Sequence, residues 1–395
     1  MHPPDADRVL VRHGELGVKS EQVRRKMEAR LADNLDAMFD ARGLSGDIER
    51  RRNRLFVHTD RPDDVTAAAA DTFGVASASP VATVDPTLDA IETALADTAR
   101  ERYDGGTFAV DARRAGPTDQ HPFASTDIES EGGAAVWDAI ESLGAEPAVD
   151  LDDPDLELFV ECRADEAFVF CEKRDGPGGL PLGTQRPVVA LVSGGIDSPV
   201  AAWKLMKRGA PVIPVYVDLG DYGGPDHRAR ALSTVEALAA YAPGYDLSVH
   251  VVDAGDVVAD LAESLDSLRM LALRRFMLAV AEAVADDHGA VGIVTGEAIG
   301  QKSSQTSANI AVTDAATTLP VHRPNLTTDK AAITDLARDI GTFEDSTIDA
   351  GCNRVAPSYP ETNASLERLR AAEPDDLFDR AAACAETRDV VPIES

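Results

Sequence analysis

The sequence predicts an α/β protein in which a parallel-sheet domain follows two small α+β domains. From residue 187 onward the apolar runs "VVALV", "PVIPVYV", "LSVHVVD" and "AVGIVTG" alternate with helix-like stretches, the order of a parallel sheet with helices on both faces. Before that point, strands and amphipathic helices fall into two shorter mixed groups. A chain of 395 residues exceeds one ordinary domain, and 44% hydrophobic residues are enough for more than one core.

The first group spans residues 1–60. "RVLVRHG" reads as a strand, and the following stretch spaces Val23, Met27, Leu31, Leu35 and Met38 three and four apart, as one face of a helix requires. Ser20 suits its N-cap and Gly43 its stop. "IERRRNRLFVHT" returns as a strand carrying Arg50, Arg51, Arg52 and Arg54. The second group, 61–170, opens with an alanine-rich helix in "PDDVTAAAADTFG" and a helix over 87–103. The strands "TFAVDARR", "DLELFVECR" and "EAFVFCEKR" follow, the last two separated by "ADE" as a hairpin. Gly and Pro crowd residues 171–186, which read as a linker into the domain at 187–395.

Several function classes drop out early. No apolar run approaches the length of a membrane span, and "MHPPDADRVLVRHGE" lacks the apolar core of a signal peptide, so a cytoplasmic protein without membrane contact is expected. Cys162, Cys171, Cys352 and Cys384 show no metal-ligand spacing, so no protein-held metal is expected. The formal charge of −31 would argue against nucleic acid if it were uniform. It is not uniform: residues 1–60 carry 12 basic and 11 acidic side chains. With only seven lysines and Asp on every apparent surface stretch, the acid excess reads as adaptation to a high-salt, halophilic setting, and it says little about substrate.

The stretch "VVALVSGGIDSPVAAWKLMKRG" carries chemistry. A buried parallel strand runs into a helix with proline in its first turn and glycine beyond its last, so the loop lies at a strand's carboxyl end and a helix's amino end. Free amides there attract anions, and Gly194 and Gly195 permit close approach of a phosphate. Ser193 and Ser198 can donate hydroxyl hydrogen bonds. Asp197 would repel a bare phosphate but suits a magnesium ion carried by a nucleotide. The GK[ST] ending of a Walker loop is missing.

"SGGIDSPVA" resembles the PP-loop of ATP pyrophosphatases, which split ATP into AMP and pyrophosphate to activate an oxygen as its adenylate. Taken in order with "RMLALRRFML", "TGEAIGQKSSQT", "LPVHRPNLTTDKAAI", "PSYPET" and the opening "VLVRHGELGVKS", it closely resembles the tRNA 4-thiouridine synthetases, also called tRNA sulfurtransferases or ThiI proteins. The resemblance covers essentially the whole chain. It implies a ferredoxin-like domain at 1–60, a THUMP RNA-binding domain at 61–170 and a PP-loop (adenine nucleotide α-hydrolase-like) domain at 187–395.

The same resemblance implies that ATP is held by Leu191, Val192, Tyr216, Val217, Arg274, Gly296 and Gln305, with Ser193, Gly194, Gly195, Asp197 and Ser198 at the pyrophosphate end. By their residues alone, Tyr216 also reads as a core aromatic, and Arg274 as an ion-pair or surface residue. Lys330 resembles a residue acting on phosphate or substrate during adenylation, and reads equally as a solvated lysine at a helix start. The implied reaction uses ATP and Mg2+: uridine O4 at tRNA position 8 attacks the α-phosphate, and a sulfur nucleophile then displaces AMP.

For sulfur delivery, the carboxyl-terminal rhodanese domain of many bacterial members is not expected in this chain, and the CxxC stretch of some archaeal members is matched by "RMLALRR", with Met270 and Leu273 and no thiol. Cys352 aligns with a family cysteine, its neighbour being Gly351, and reads as sulfur carrier or structural residue. Cys162, Cys171 and Cys384 read as structural. The implied partners are tRNA, a cysteine desulfurase or other persulfide or sulfide donor, and the carrier protein ThiS; a homodimer is compatible. Arg24, Arg25, Arg50, Arg51, Arg52 and Arg54 are the expected RNA-facing cluster. Two other classes stay open: a PP-loop enzyme adenylating a small molecule or protein carboxylate, and an RNA-binding protein with decayed catalysis.

Overall fold

Three consecutive residues of the first strand, Val9, Leu10 and Val11, are fully buried, so β1 (Arg8–His13) lies in a sheet covered on both faces. The protein is described here by a computed structural model over residues 1–51, 54–115, 121–223, 225–344 and 355–393. It divides into two units, Met1–Gly179 and Leu180–Ser395. Among the described residues no helix is long and apolar enough to cross a membrane.

In the first unit, β1 is followed by α1 (Glu21–Ala41), β2 (Asp47–Arg51), β3 (Arg54–His58), α2 (Pro62–Ala70) and β4 (Val75–Val84). Then come α3 (Leu88–Arg102), β5 (Thr107–Arg114), α4 (Ser125–Ser142), β6 (Ala148–Val149), β7 (Leu156–Cys162), β8 (Ala167–Phe170) and β9 (Arg174–Asp175). The sheet runs β2-β3-β1-β4-β8-β7-β5-β6, with β9 also on β4. The 87–103 helix and the β7–β8 hairpin follow the sequence pattern, Phe159 facing Phe170 across the hairpin. The first core does not end at residue 60. Val65, Ala68 and Ala69 of α2 and Val75 and Ala78 of β4 pack with Leu31, Leu35 and Val57, because the small alanine faces let α2 lie close to the sheet. Part of the stretch read as linker is ordered, since β9 pairs with β4.

The second unit contains β10 (Val188–Val192), α5 (Asp197–Met206), β11 (Val212–Asp218), α6 (Pro225–Ala239), β12 (Val249–Asp253), α7 (Gly255–Ser264) and α8 (Arg269–His288). It continues through β13 (Ile293–Val294), α9 (Ser307–Asp314), β14 (Val321–His322), α10 (Lys330–Asp339), helices Leu366–Arg370 and Leu377–Glu386, and β15 (Asp389–Val391). The strand order is β14-β13-β10-β11-β12-β15, with β15 antiparallel to β12 and every other pair parallel. Crossovers between the parallel strands put α5 and α6 on one face and α7 and α8 on the other, where Val189, Val215 and Val217 meet Leu273, Phe276 and Leu377. The chain leaves β10 for β11 on one side and returns as β13 on the other. That reversal opens a crevice at the carboxyl ends of β10 and β13, where open α/β sheets bind ligands.

Candidate active site

The loop between β10 and α5 is closed by its own serines. Ser193 N–H donates to Ser198 Oγ at 2.9 Å, Ser198 Oγ returns a bond to the Ser193 carbonyl at 3.3 Å, and Gly195 N–H donates to Ser193 Oγ at 3.3 Å. The two glycines differ. A Cβ on Gly194 would come within 3.1 Å of Arg230 Cβ and of the His227 carbonyl in α6, whereas one on Gly195 would meet only Ser193 Oγ at 3.5 Å. Gly194 lets α6 pack, and Gly195 leaves the open approach. Gly296, just beyond β13, is tighter still: a Cβ there would meet Ser198 N at 2.6 Å and Asp197 C at 2.7 Å, both backbone.

A cleft of about 440 Å³ opens at these strand ends. Leu191, Val192, Ser193, Gly195, Asp197, Ser198, Arg274, Gly296 and Gln305 all line it, so residues far apart in the chain converge there. Gly194, Tyr216, Val217 and Lys330 are not in the lining. Val217 is in the core with α7 and α8, and Tyr216 is buried beside Val192 in the sheet. Lys330 sits at the rim, at the start of α10, with Nζ donating to Asp197 Oδ1 at 2.8 Å. Cys352, Gly351 and Arg52 lie outside the described residues.

Sequence reading missed other parts of the site. Met270, Leu273, Met277 and Leu278 form an apolar wall from one face of α8, a spacing that also reads as ordinary core. Gln305 Oε1 is buried at the cleft without a hydrogen-bond partner among the described residues, which suits the amino edge of an adenine. Asn325, fully buried, donates to the Asp197 carbonyl at 2.8 Å and accepts from Lys204 Nζ at 2.8 Å, tying the start of α5 to the loop before α10. Burial lowers the Lys204 pKa from its ordinary value. Arg274 is both ion-paired and cleft-lining: Nε lies 3.3 Å from Glu297 Oε1, and Nη1 donates to the Ser304 carbonyl at 3.2 Å.

Among the described residues no group of three or more His, Cys, Asp or Glu could hold a metal by itself. Asp197 at the loop fits magnesium of the kind held mostly by phosphates and water. Burial raises the thiol pKa of Cys162 and Cys384, and pushes Cys171 up to about 11, so none of these three is inclined to be a thiolate. In the first unit, Arg24, Arg25, Arg50 and Arg51 line a separate cleft of about 760 Å³ together with Glu21 and Glu28. Arg54 turns inward instead, with Nε 3.8 Å from Glu161 Oε1 and its pKa lowered by burial.

A glycine-serine anion loop at a parallel-sheet switch point, without the Walker lysine, defines a PP-loop type nucleotide-binding domain. The family model described as "Thiamine biosynthesis protein (ThiI)" matches residues 183–377, the ThiI ferredoxin-like domain 8–79 and the THUMP domain 86–172. A probable tRNA sulfurtransferase of Halobacterium salinarum is 60% identical over 394 residues, covering 100% of this chain and 99% of that protein. One from Methanosarcina acetivorans is 40% identical over 365 residues, covering 91% of this chain and 87% of its own. A solved 4-thiouridine synthetase–RNA complex with bound ATP superposes with a TM-score of 0.80 at 29% identity, covering 98% of this chain and 99% of that one. The chain belongs to the ThiI family. Its Halobacterium relative also fits the reading of the acid excess as salt adaptation.

Proposed function

We propose that the chain is an ATP-dependent tRNA sulfurtransferase that converts uridine at tRNA position 8 to 4-thiouridine through an adenylated uridine. The observation that carries this reading is the cleft itself, lined by an apolar wall on α8 and by the loop and first turn of α5 with Ser193, Gly195 and Ser198. A nucleotide has the same two halves, an apolar base and an anionic tail.

In the first step uridine O4 attacks the α-phosphorus; the new O–P bond forms as the bond to pyrophosphate breaks. The α5 amides and the hydroxyls of Ser193 and Ser198 are set to receive the charge of the departing pyrophosphate. Magnesium entering with the nucleotide would offset part of that charge, with Asp197 as its protein carboxylate. Lys330, at the rim, supplies a cation that can leave Asp197 for a phosphate oxygen. In the second step a sulfur nucleophile attacks C4, a C–S bond forms, and AMP leaves with the original O4. Cys352 is our candidate carrier of that sulfur, taking a sulfane sulfur by thiol exchange from the persulfide of a cysteine desulfurase or another persulfide donor. The Cys352–S–S–C4 disulfide formed on attack is then cleaved by a second thiol, whereas sulfide would attack C4 directly without the carrier. ThiS would be a second acceptor, serving thiamine synthesis. The first unit, Met1–Gly179, is assigned to RNA binding, and the reaction to the cytoplasm.

The test is incubation of the full chain with ATP, magnesium, a sulfide or persulfide source and unmodified tRNA in high salt, followed by assays for AMP and 4-thiouridine. Absence of both products would sink the proposal. With the persulfide source, Cys352→Ser should keep pyrophosphate release and lose thiolation; full thiolation would reject Cys352 as carrier.

A further inference from the structure

We propose that Glu297 is a positioning residue for the nucleotide: its carboxylate holds Arg274 against the cleft wall while Arg323 anchors it from behind. The inference rests on the nucleotide reading of the cleft. Glu297 follows β13 and lines the cleft beside Arg274. Its two oxygens divide the work. Oε1 lies 3.3 Å from Arg274 Nε, while Oε2 accepts from Arg323 Nε at 2.8 Å and from Thr295 Oγ1 at 3.2 Å. Arg323 is itself fixed by both Asp314 oxygens, at 3.1 and 2.5 Å. The chain Asp314–Arg323–Glu297–Arg274 thus alternates in sign and links α9, the segments after β14 and β13, and α8.

The arrangement is more than a stability device. The Arg323 and Glu297 side chains are 5% and 14% exposed, and buried ion pairs of this kind contribute little net stability compared with apolar packing. What they do enforce is geometry. A guanidinium on a flexible stem has many rotamers, and Glu297 with the Ser304 carbonyl selects one of them. Arg274 lines the cleft, so the guanidinium held in this way is presented to a cleft occupant. Two carboxylates balance two guanidiniums, so the set brings an oriented donor to the wall without uncompensated charge.

The test measures MgATP binding to the full chain by equilibrium dialysis in high salt, alongside thermal unfolding, for Glu297→Ala, Arg274→Ala and the double variant. Each single change should weaken binding about tenfold, and the double variant should be no worse than the weaker single, because both remove one oriented donor. Additive losses in the double variant would overturn the proposal. So would a folded Glu297→Ala that melts earlier yet binds MgATP as the unaltered chain does, the outcome of a purely structural role. If Glu297→Ala does not fold, Glu297→Gln keeps the shape and drops the charge. It should still weaken binding severalfold, and unaltered affinity there would be equally fatal. If the unaltered chain itself fails to bind MgATP, the nucleotide reading falls and takes this inference with it. If it binds and only the variants behave normally, the inference alone fails.

Discussion

Lys330 Nζ and Asp197 Oδ1 are 2.8 Å apart, an ion pair between the first residue of α10 and the first residue of α5, 133 positions away in sequence. The two side chains are 50% and 29% exposed, so water screens the pair and it adds little to stability. Both groups are therefore free to exchange partners, Lys330 toward a phosphate and Asp197 toward magnesium. Lys330→Met should leave the melting temperature nearly unchanged and lower pyrophosphate release at saturating ATP and tRNA by about a hundredfold, the typical loss of one donor to developing charge. Unaltered pyrophosphate release would remove Lys330 from the reaction.

Gly296→Ala is expected to disable the site through backbone. The new methyl would meet Ser198 N at 2.6 Å and Asp197 C at 2.7 Å, neither of which can swing aside as a side chain could. Overpacking of this kind costs about 1–3 kcal/mol and would push the β13 end away from the anion loop. Lower thermal stability together with weaker MgATP binding is the expected result; a variant that binds ATP normally would show that the loop tolerates the shift.

RNA binding by the arginine cleft has its own readout. Arg24 and Arg50 line it, with acidic partners that include Glu28 at 3.5 Å from Arg24. Arg24→Gln with Arg50→Gln should weaken tRNA binding and flatten its dependence on log salt by about 0.7–0.9 for each phosphate no longer neutralised. MgATP binding should be unaffected, since both residues lie in the first unit. An unchanged salt slope would show that the cluster is a solvated face.

Acid should destabilise the fold through two buried histidines. Burial, then Arg54 and Arg24, lowers the His13 pKa to about 4, and burial, then His288 and Arg388, lowers that of His250 to about 4. An unfolded chain takes up protons near the ordinary value of 6.5 that the folded chain refuses until about 4. Stability is thus full above pH 6.5 and declines as pH falls toward 4. His250 Nδ1 accepts from Arg388 Nε at 3.0 Å, so His250→Gln, which keeps an acceptor, should shrink the acid decline in melting temperature measured at fixed salt. An identical decline would exclude His250 as a source.

Much of this architecture was legible locally. The apolar run before "SGGIDSP" and the proline and glycine bracketing the helix are near-neighbour patterns, and they locate β10, the loop and α5 without any long-range knowledge. The spaced motifs led to the family for the same reason. The alanine-rich stretch at 62–70 was legible as a helix but not by address, because small residues do not reveal which core they join. Met270, Leu273, Met277 and Leu278 look like any buried helix face until the cleft opens beside them.

The strand–loop–helix around "SGGIDSP", the alternation that yields a parallel sheet, and the segment order follow from the residues alone. Tertiary structure decided which glycine faces α6 and which the cleft, that Gly296 lies against the start of α5, that Val217 belongs to the core, and that Glu297 stands between Arg274 and Arg323. The division has a physical basis. Periodicity and capping act over one or two helical turns, whereas the switch point brings together strand ends that lie far apart in the chain, and only the closed sheet sets which side chains meet there.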